Sequence, residues 1–341
     1  MADGYNGLLT ATVFLPAVGA LAVLLLLRGD RTVRGFALFI ALADLVLSLM
    51  VFGFFDRGES ADRFQFVDKF SWIPDVGLKA NFLLAVDGLS APLVALTGLL
   101  GLCAVLASWR VKLRLKEYFF WLLLLQTAVM GVFTSMDLLL FFLFWELELV
   151  PMYMLISIWG SGRKEYSAMK FLIFTILGSA FMLVAIIAVY IMADIGTFDM
   201  LELTSHGLPG QTSLIPVSLI FWLFFAAFAI KLPVWPVHTW LPDAHTDAPT
   251  AVSVMLAGVL LKMGGYGLIR VCVGMFGGMD YANIFSHILL VLAVVGILYG
   301  AIVTLRQTDL KRLIAYSSIS HMGLVLLGVA IAIAGSSSSE L

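Results

Sequence analysis

Charge is scarce in this chain. Lys, Arg, Asp and Glu supply 12% of its 341 residues, against about 25% in ordinary globular proteins. The net charge is −2, and no basic stretch stands clear of the apolar runs, which excludes nucleic acid as a partner. Cysteine is nearly absent. Cys103 and Cys272 both lie inside apolar runs and read as buried small hydrophobes. Without a CxxC spacing there is no iron–sulfur or zinc site, and no paired histidines offer to hold haem. No GxGxxG turn follows a strand, which leaves no dinucleotide fingerprint. Residues 1–10 contain Asp3 and no Lys or Arg, so they lack the basic start of a cleaved signal peptide.

Apolar residues are abundant, at 62% of the chain. A soluble core could not absorb that excess over the usual ~45–50%, so the solvent is a lipid bilayer. A hydrocarbon core of ~30 Å needs about 20 helical residues. Reading for such runs predicts an all-α polytopic membrane protein with about ten spans, at 8–27, 33–55, 84–109, 117–135, 137–158, 168–193, 214–241, 250–274, 281–304 and 311–334. The stretch from Asp56 to Leu83 reads as an extramembrane loop. The absence of a period of two excludes an outer-membrane barrel. Gly296 and Gly300, in GxxxG spacing, and the cluster Gly264, Gly265 and Gly267 predict close helix packing.

Positive charge orients the spans. Arg28, Arg31 and Arg34 follow span 1; Arg110, Lys112, Arg114 and Lys116 follow span 3. Arg163 and Lys164 follow span 5, and Arg306, Lys311 and Arg312 follow span 9. The connections after spans 4 and 6 have none, and span 8 is followed only by Arg270. Acids offset Arg57, Arg63, Lys69 and Lys79 after span 2. The odd connections are therefore expected on the cytoplasmic side and the N-terminus on the other.

Against this background, Glu146, Lys231, Lys262 and His321 fall near the middle of their spans. A Lys or Asp at a helix centre costs ~2.5–3.5 kcal/mol on insertion scales, and an apolar residue would serve stability better. A buried Glu–Lys pair is itself weak support for a fold. A desolvated lysine, by contrast, loses proton affinity and regains it when a carboxylate approaches. Moving that carboxylate, or its proton, switches the lysine between holding and releasing H⁺. Glu146 and Glu148 are two positions apart, so on one continuous helix they face nearly opposite ways; Glu146 is the more central, and Glu148 reads as a packing or supporting group. Asp44 is central too, with a hydrogen-bonded structural role and others left open. Pro233 and Pro236 follow Lys231 within five residues, each removing a backbone N–H, which predicts a broken helix of the kind that lines polar cavities at membrane depth. His238 follows that break, and Ser317 precedes His321 by one turn, as groups able to relay protons. His206 and His287 read as ordinary span-end residues.

The segments FFLFWELELVPMYMLISIWG, AIKLPVWPVHTWLPDAHTDAPTAVSVMLAGVLLKMGGYGLIR and TDLKRLIAYSSISHMG resemble the antiporter-like subunits of respiratory complex I, the proton-pumping NADH:quinone oxidoreductase, and among them the chain-4 or M type. The resemblance covers about residues 85 to 334. It implies inverted five-helix repeats, each with a broken helix. Residues 1–116 would be N-terminal helices and a loop, 117–276 the first repeat, and 277–341 the start of a second, unfinished one. It assigns Glu146 as modulator, Lys231 as protonatable centre, Lys262 as the link inward, His321 to the central hydrophilic axis and His238 to the segment after the break. Members run to about fourteen spans, so the chain reads as a fragment ending in GSSSSEL. Neither a cofactor nor a metal is expected in this chain; NADH, FMN, iron–sulfur clusters and quinone belong to partner subunits, which include neighbouring antiporter-like subunits. The expected location is a bacterial inner or thylakoid membrane, and the donor is NADH or ferredoxin. The large subunit of a multisubunit Na⁺/H⁺ antiporter is the alternative, and a scaffold with a merely structural Glu146–Lys231 pair is a third reading.

Overall fold

A computed structural model describes residues 7–58, 62–73, 80–207, 216–277 and 282–338. Asp3, Lys79 and the end of the GSSSSEL tail lie outside the described residues. The chain begins with helices α1 (Leu8–Leu25) and α2 (Asp30–Gly53), then strands β1 (Gln65–Ile73) and β2 (Ala80–Val86). Helices α3 (Ser90–Ala107), α4 (Leu115–Thr134), α5 (Leu138–Leu147), α6 (Leu149–Trp159), α7 (Lys164–Ala193) and α8 (Met200–His206) follow. Then come α9 (Val217–Lys231), α10 (Trp240–Asp247), α11 (Thr250–Met255), α12 (Leu261–Gly267) and α13 (Gly274–Phe276). The last two are α14 (Ala282–Leu305) and α15 (Leu310–Ser338).

Counting α5–α6 and α11–α13 as one span each, nine helices among the described residues are long and apolar enough to cross a membrane. The shorter apolar helix α9 stands within the seventh expected span, 214–241. Helices dominate because a backbone in lipid must satisfy its own hydrogen bonds.

The stretch expected to be a plain loop is instead an antiparallel hairpin of β1 and β2. Residues 84–86, assigned to span 3, belong to β2, and that span starts at Ser90. The reason is local: aromatic and β-branched residues in FQFVDKFSWI and ANFLLAV favour a pleated surface, as in the stacking of Phe70 on Phe82 at 4.4 Å. Arg270, read as part of a connection, lies inside the helical run, in a π-helical segment Leu268–Val273.

The chain divides into two compact units, residues 1–168 with 248–259 and residues 169–247 with 260–341. In the first, the hairpin holds helix ends. Asp68 is fully buried and accepts from the backbone N–H groups of Gly7 (2.7 Å) and Thr10 (3.0 Å) and from the Thr10 hydroxyl (2.8 Å). It thereby caps α1, whose own residues provide no side-chain cap. Asp68→Ala is expected to cost about 1–2 kcal/mol at that terminus, seen as roughly tenfold faster amide exchange over the first turn of α1. Unchanged protection would show that the cap contributes nothing.

Deeper in this unit, Gln126 Nε2 donates to Asp44 at 2.5 Å, so the structural role left open for Asp44 is occupied by an interhelical hydrogen bond. Gly98 and Gly101 on α3 make room for this polar seam. A Cβ would stand 2.1 Å from Ser48 Oγ at the first and 2.3 Å from Gln126 Cδ at the second.

In the second unit α14 packs along α15 through the expected GxxxG pair. A Cβ on Gly300 would meet Ser320 N at 2.7 Å, and the Ser320 hydroxyl donates to the Ile297 carbonyl across the seam at 3.0 Å.

Candidate functional site

Helix α9 ends at Lys231, residues 232–239 form turns, and helix resumes at Trp240; Pro233 and Pro236 both fall in this break. The amide of Val234 donates to Ala229 O at 2.9 Å instead of to Ile230. The freed Ile230 carbonyl is taken by the indole N–H of the fully buried Trp240, at 2.8 Å. An opened helix at membrane depth is thus held by a side chain from beyond its own break.

Lys231 terminates the half-helix with 1% of its surface exposed. Its Nζ stands 5.5 Å from the centre of the Phe171 ring, an aromatic face that favours a cation. Phe171 also touches Trp240, ring centres 5.4 Å apart, so one buried phenyl ring bridges the lysine and the far side of the break. His238 is 3% exposed, its ring 5.0 Å from that of Tyr299.

Lys262 lies half-buried on α12, immediately after the π-helical segment Leu256–Leu260. Such segments are often found at functional sites. Gly264, one half-turn on, lets α12 press against the end of α9: a Cβ there would stand 2.7 Å from Leu232 N and 3.0 Å from Phe228 O. His321 lies on an exposed face of α15, and the Ser317 hydroxyl donates to Ile314 O at 2.9 Å. The second unit therefore gathers Lys231, His238 and the helix bearing Lys262, with His321 on its surface.

Glu146 belongs to the first unit, near the end of α5, and is half-buried. Glu148, read as a lesser group, is fully buried. The two helices meet at Glu148, whose backbone stays in the right-handed helical region (φ −72°, ψ −24°), so the two carboxylates keep the different faces their spacing implies.

Sequence reasoning missed an ion pair in the second unit. Lys170 Nζ on α7 and Asp243 Oδ2 on α10 are 2.7 Å apart, with side chains about a fifth exposed (21% and 20%). The half-helix after the break carries two acids, Asp243 and Asp247, and no spacing pairs either of them with Lys170. Beyond it, Lys311 donates to the Thr246 carbonyl at 3.2 Å. Among the described residues no three His, Cys, Asp or Glu side chains converge as metal ligands.

Residues 135–340 match the family described as NADH:quinone oxidoreductase/Mrp antiporter, TM. The chain is 50% identical over 327 residues to NAD(P)H-quinone oxidoreductase chain 4 1 of Synechococcus elongatus, covering 94% of this chain and 59% of that protein. It is 48% identical over 322 residues to chain 4 2 of Thermosynechococcus vestitus, with the same coverage of 94% and 59%. It thus spans a little under three fifths of the length of these relatives. Respiratory complex I from Thermus thermophilus with bound NADH contains a similar chain, with a TM-score of 0.82 and 28% identity, over 94% of this chain and 64% of that one. An archaeal membrane-bound sulfane sulfur reductase shares the fold, with a TM-score of 0.80 at 23% identity over 96% of this chain and 53% of that one. With the broken helix and its buried lysine inside the matched region, the chain belongs to the NADH:quinone oxidoreductase/Mrp antiporter transmembrane family.

Proposed function

We propose that this chain is a proton-carrying membrane subunit of a complex I type NAD(P)H:quinone oxidoreductase, acting through an axis of Glu146, Lys231, Lys262 and His321, with His238 after the break. The observation that carries this reading is Lys231, an amine sealed from water at the end of a broken membrane helix. Such a group is costly unless its charge changes in use. Glu146 modulates it, Lys262 receives the proton, and the exposed place of His321 on α15 suits an axis that continues into a neighbouring antiporter-like segment.

The redox chemistry belongs to partner subunits, which hold FMN, iron–sulfur clusters, the nucleotide or ferredoxin donor and quinone. The chain answers their turnover by electrostatic or conformational change. Residues 117–276 form the first inverted repeat and 277–341 begin the second. The basic connections face the cytoplasm of a bacterial inner or thylakoid membrane, with the N-terminus opposite.

The test is proton uptake driven by electron transfer to quinone, in vesicles carrying the assembled complex, with and without Na⁺. Wild type is expected to take up H⁺ equally in both media, and Lys231→Ala to lower uptake and turnover by at least about tenfold. Uptake that requires Na⁺ would favour the antiporter reading. Undiminished uptake by the variant would make Lys231 structural.

A further inference from the structure

We propose that the Lys170–Asp243 ion pair is the gate through which protons reach Lys231, and that Asp243 carries the proton as the gate opens. The inference rests on the reading of Lys231 as a proton carrier. Three features of the second unit support it.

The pair ties α10, the short half-helix beyond the break, to the continuous helix α7, at 2.7 Å. It is a fifth exposed where Lys231 is 1% exposed, so the pair is the more accessible of the two. Next to Lys170 in the chain stands Phe171, fully buried, which touches both the Lys231 ammonium and Trp240. A shift of α7 at Lys170 therefore also moves, one residue on, the ring that faces Lys231.

The neighbouring groups fit this role. His238, on the break, lies within charge range of Lys170, and Tyr316, on α15, within range of Asp243 and Tyr299. Further along α10, Lys311 lies within range of Asp247 and His245. A proton from water binds the Asp243 carboxylate and neutralises it. The bridge loses its attraction, and Lys170 is released from α10. The proton passes on through the break toward Lys231, the carboxylate is restored, and the bridge closes.

A pair that only clamps α10 to α7 would share this geometry, and its response to substitution separates the two. Arginine keeps the charge and grips a carboxylate in two parallel hydrogen bonds. Lys170→Arg thus preserves or tightens a clamp and holds a gate shut. The measurements are complex assembly, proton uptake and quinone reduction across pH in vesicles carrying Lys170→Arg, Asp243→Asn and the reversed pair Lys170→Asp/Asp243→Lys. Lys231→Ala runs alongside.

With assembly intact, Lys170→Arg and Asp243→Asn are each expected to slow coupled uptake by about fivefold or more. Asp243→Asn is expected to alter the pH profile as well, and the reversed pair to remain slow. Normal turnover with Lys170→Arg, or recovery in the reversed pair, overturns the gate and leaves a clamp. If Lys231→Ala is inactive while Lys170→Arg and Asp243→Asn turn over normally with an unchanged pH profile, the gate alone fails. If Lys231→Ala is also active, the reading of Lys231 falls and takes the gate with it.

Discussion

Lys231→Arg is expected to be nearly as damaging as Lys231→Ala, lowering coupled proton uptake by at least about tenfold in vesicles with normally assembled complex. Arginine keeps the positive charge, so any ion pair that merely fixes helix register would survive it. What it removes is deprotonation, because guanidinium stays protonated in proteins. Size works in the same direction: the side chain at 231 is enclosed, with the Phe171 ring 5.5 Å from its charge, and a planar fork displaces that ring. Membranes in which arginine supports wild-type uptake would show that residue 231 needs only a fixed charge, and the protons would have to travel elsewhere.

Gly264→Val is expected to abolish the membrane-inserted, assembled form, while Gly265→Ala is tolerated. The two positions are adjacent, yet their surroundings differ in kind. At Gly264 the added carbon would stand 2.7 Å from Leu232 N and 3.0 Å from Phe228 O, both backbone atoms. Relief there requires α12 to move off the end of α9. Overpacking costs about 1–3 kcal/mol where side chains can yield, and here the obstacle is main chain. At Gly265 the nearest atom is a methyl of Val325 at 3.1 Å, on a side chain that can turn. The level of assembled protein in membranes distinguishes them. Equal levels for both variants would show that α12 and α9 are not held in this contact.

Much of this was legible because the bilayer imposes a length and a composition on every span. Apolar runs placed the helices, and Pro233 and Pro236 marked the break after Lys231. Gly296 and Gly300 marked the close approach of α14 and α15. What escaped depends on local geometry that periodicity does not encode. The hairpin was hidden because a short alternating segment between two apolar runs reads as a polar connection. The π-helical segments on either side of α12 leave no mark in composition, although they alter which residues share a face around Lys262. The full burial of Glu148, against a half-buried Glu146, depends on the packing of α5 and α6, which spacing alone does not encode. Lys170 and Asp243 are 73 positions apart, and nothing in the sequence alone joins them.

The cap on α1 has a consequence for biosynthesis. The carboxylate that satisfies the first turn of this helix lies 61 residues further along the chain. At synthesis rates of ~5–20 residues per second, the first span waits about 3–12 s for the residue that completes its terminus. During that interval α2 has to be made, and the segment bearing Asp68 has to arrive on the side of the membrane where α1 begins. The start of the protein is finished only after its first two spans exist, so a stall between them leaves a helix that is inserted but still frayed.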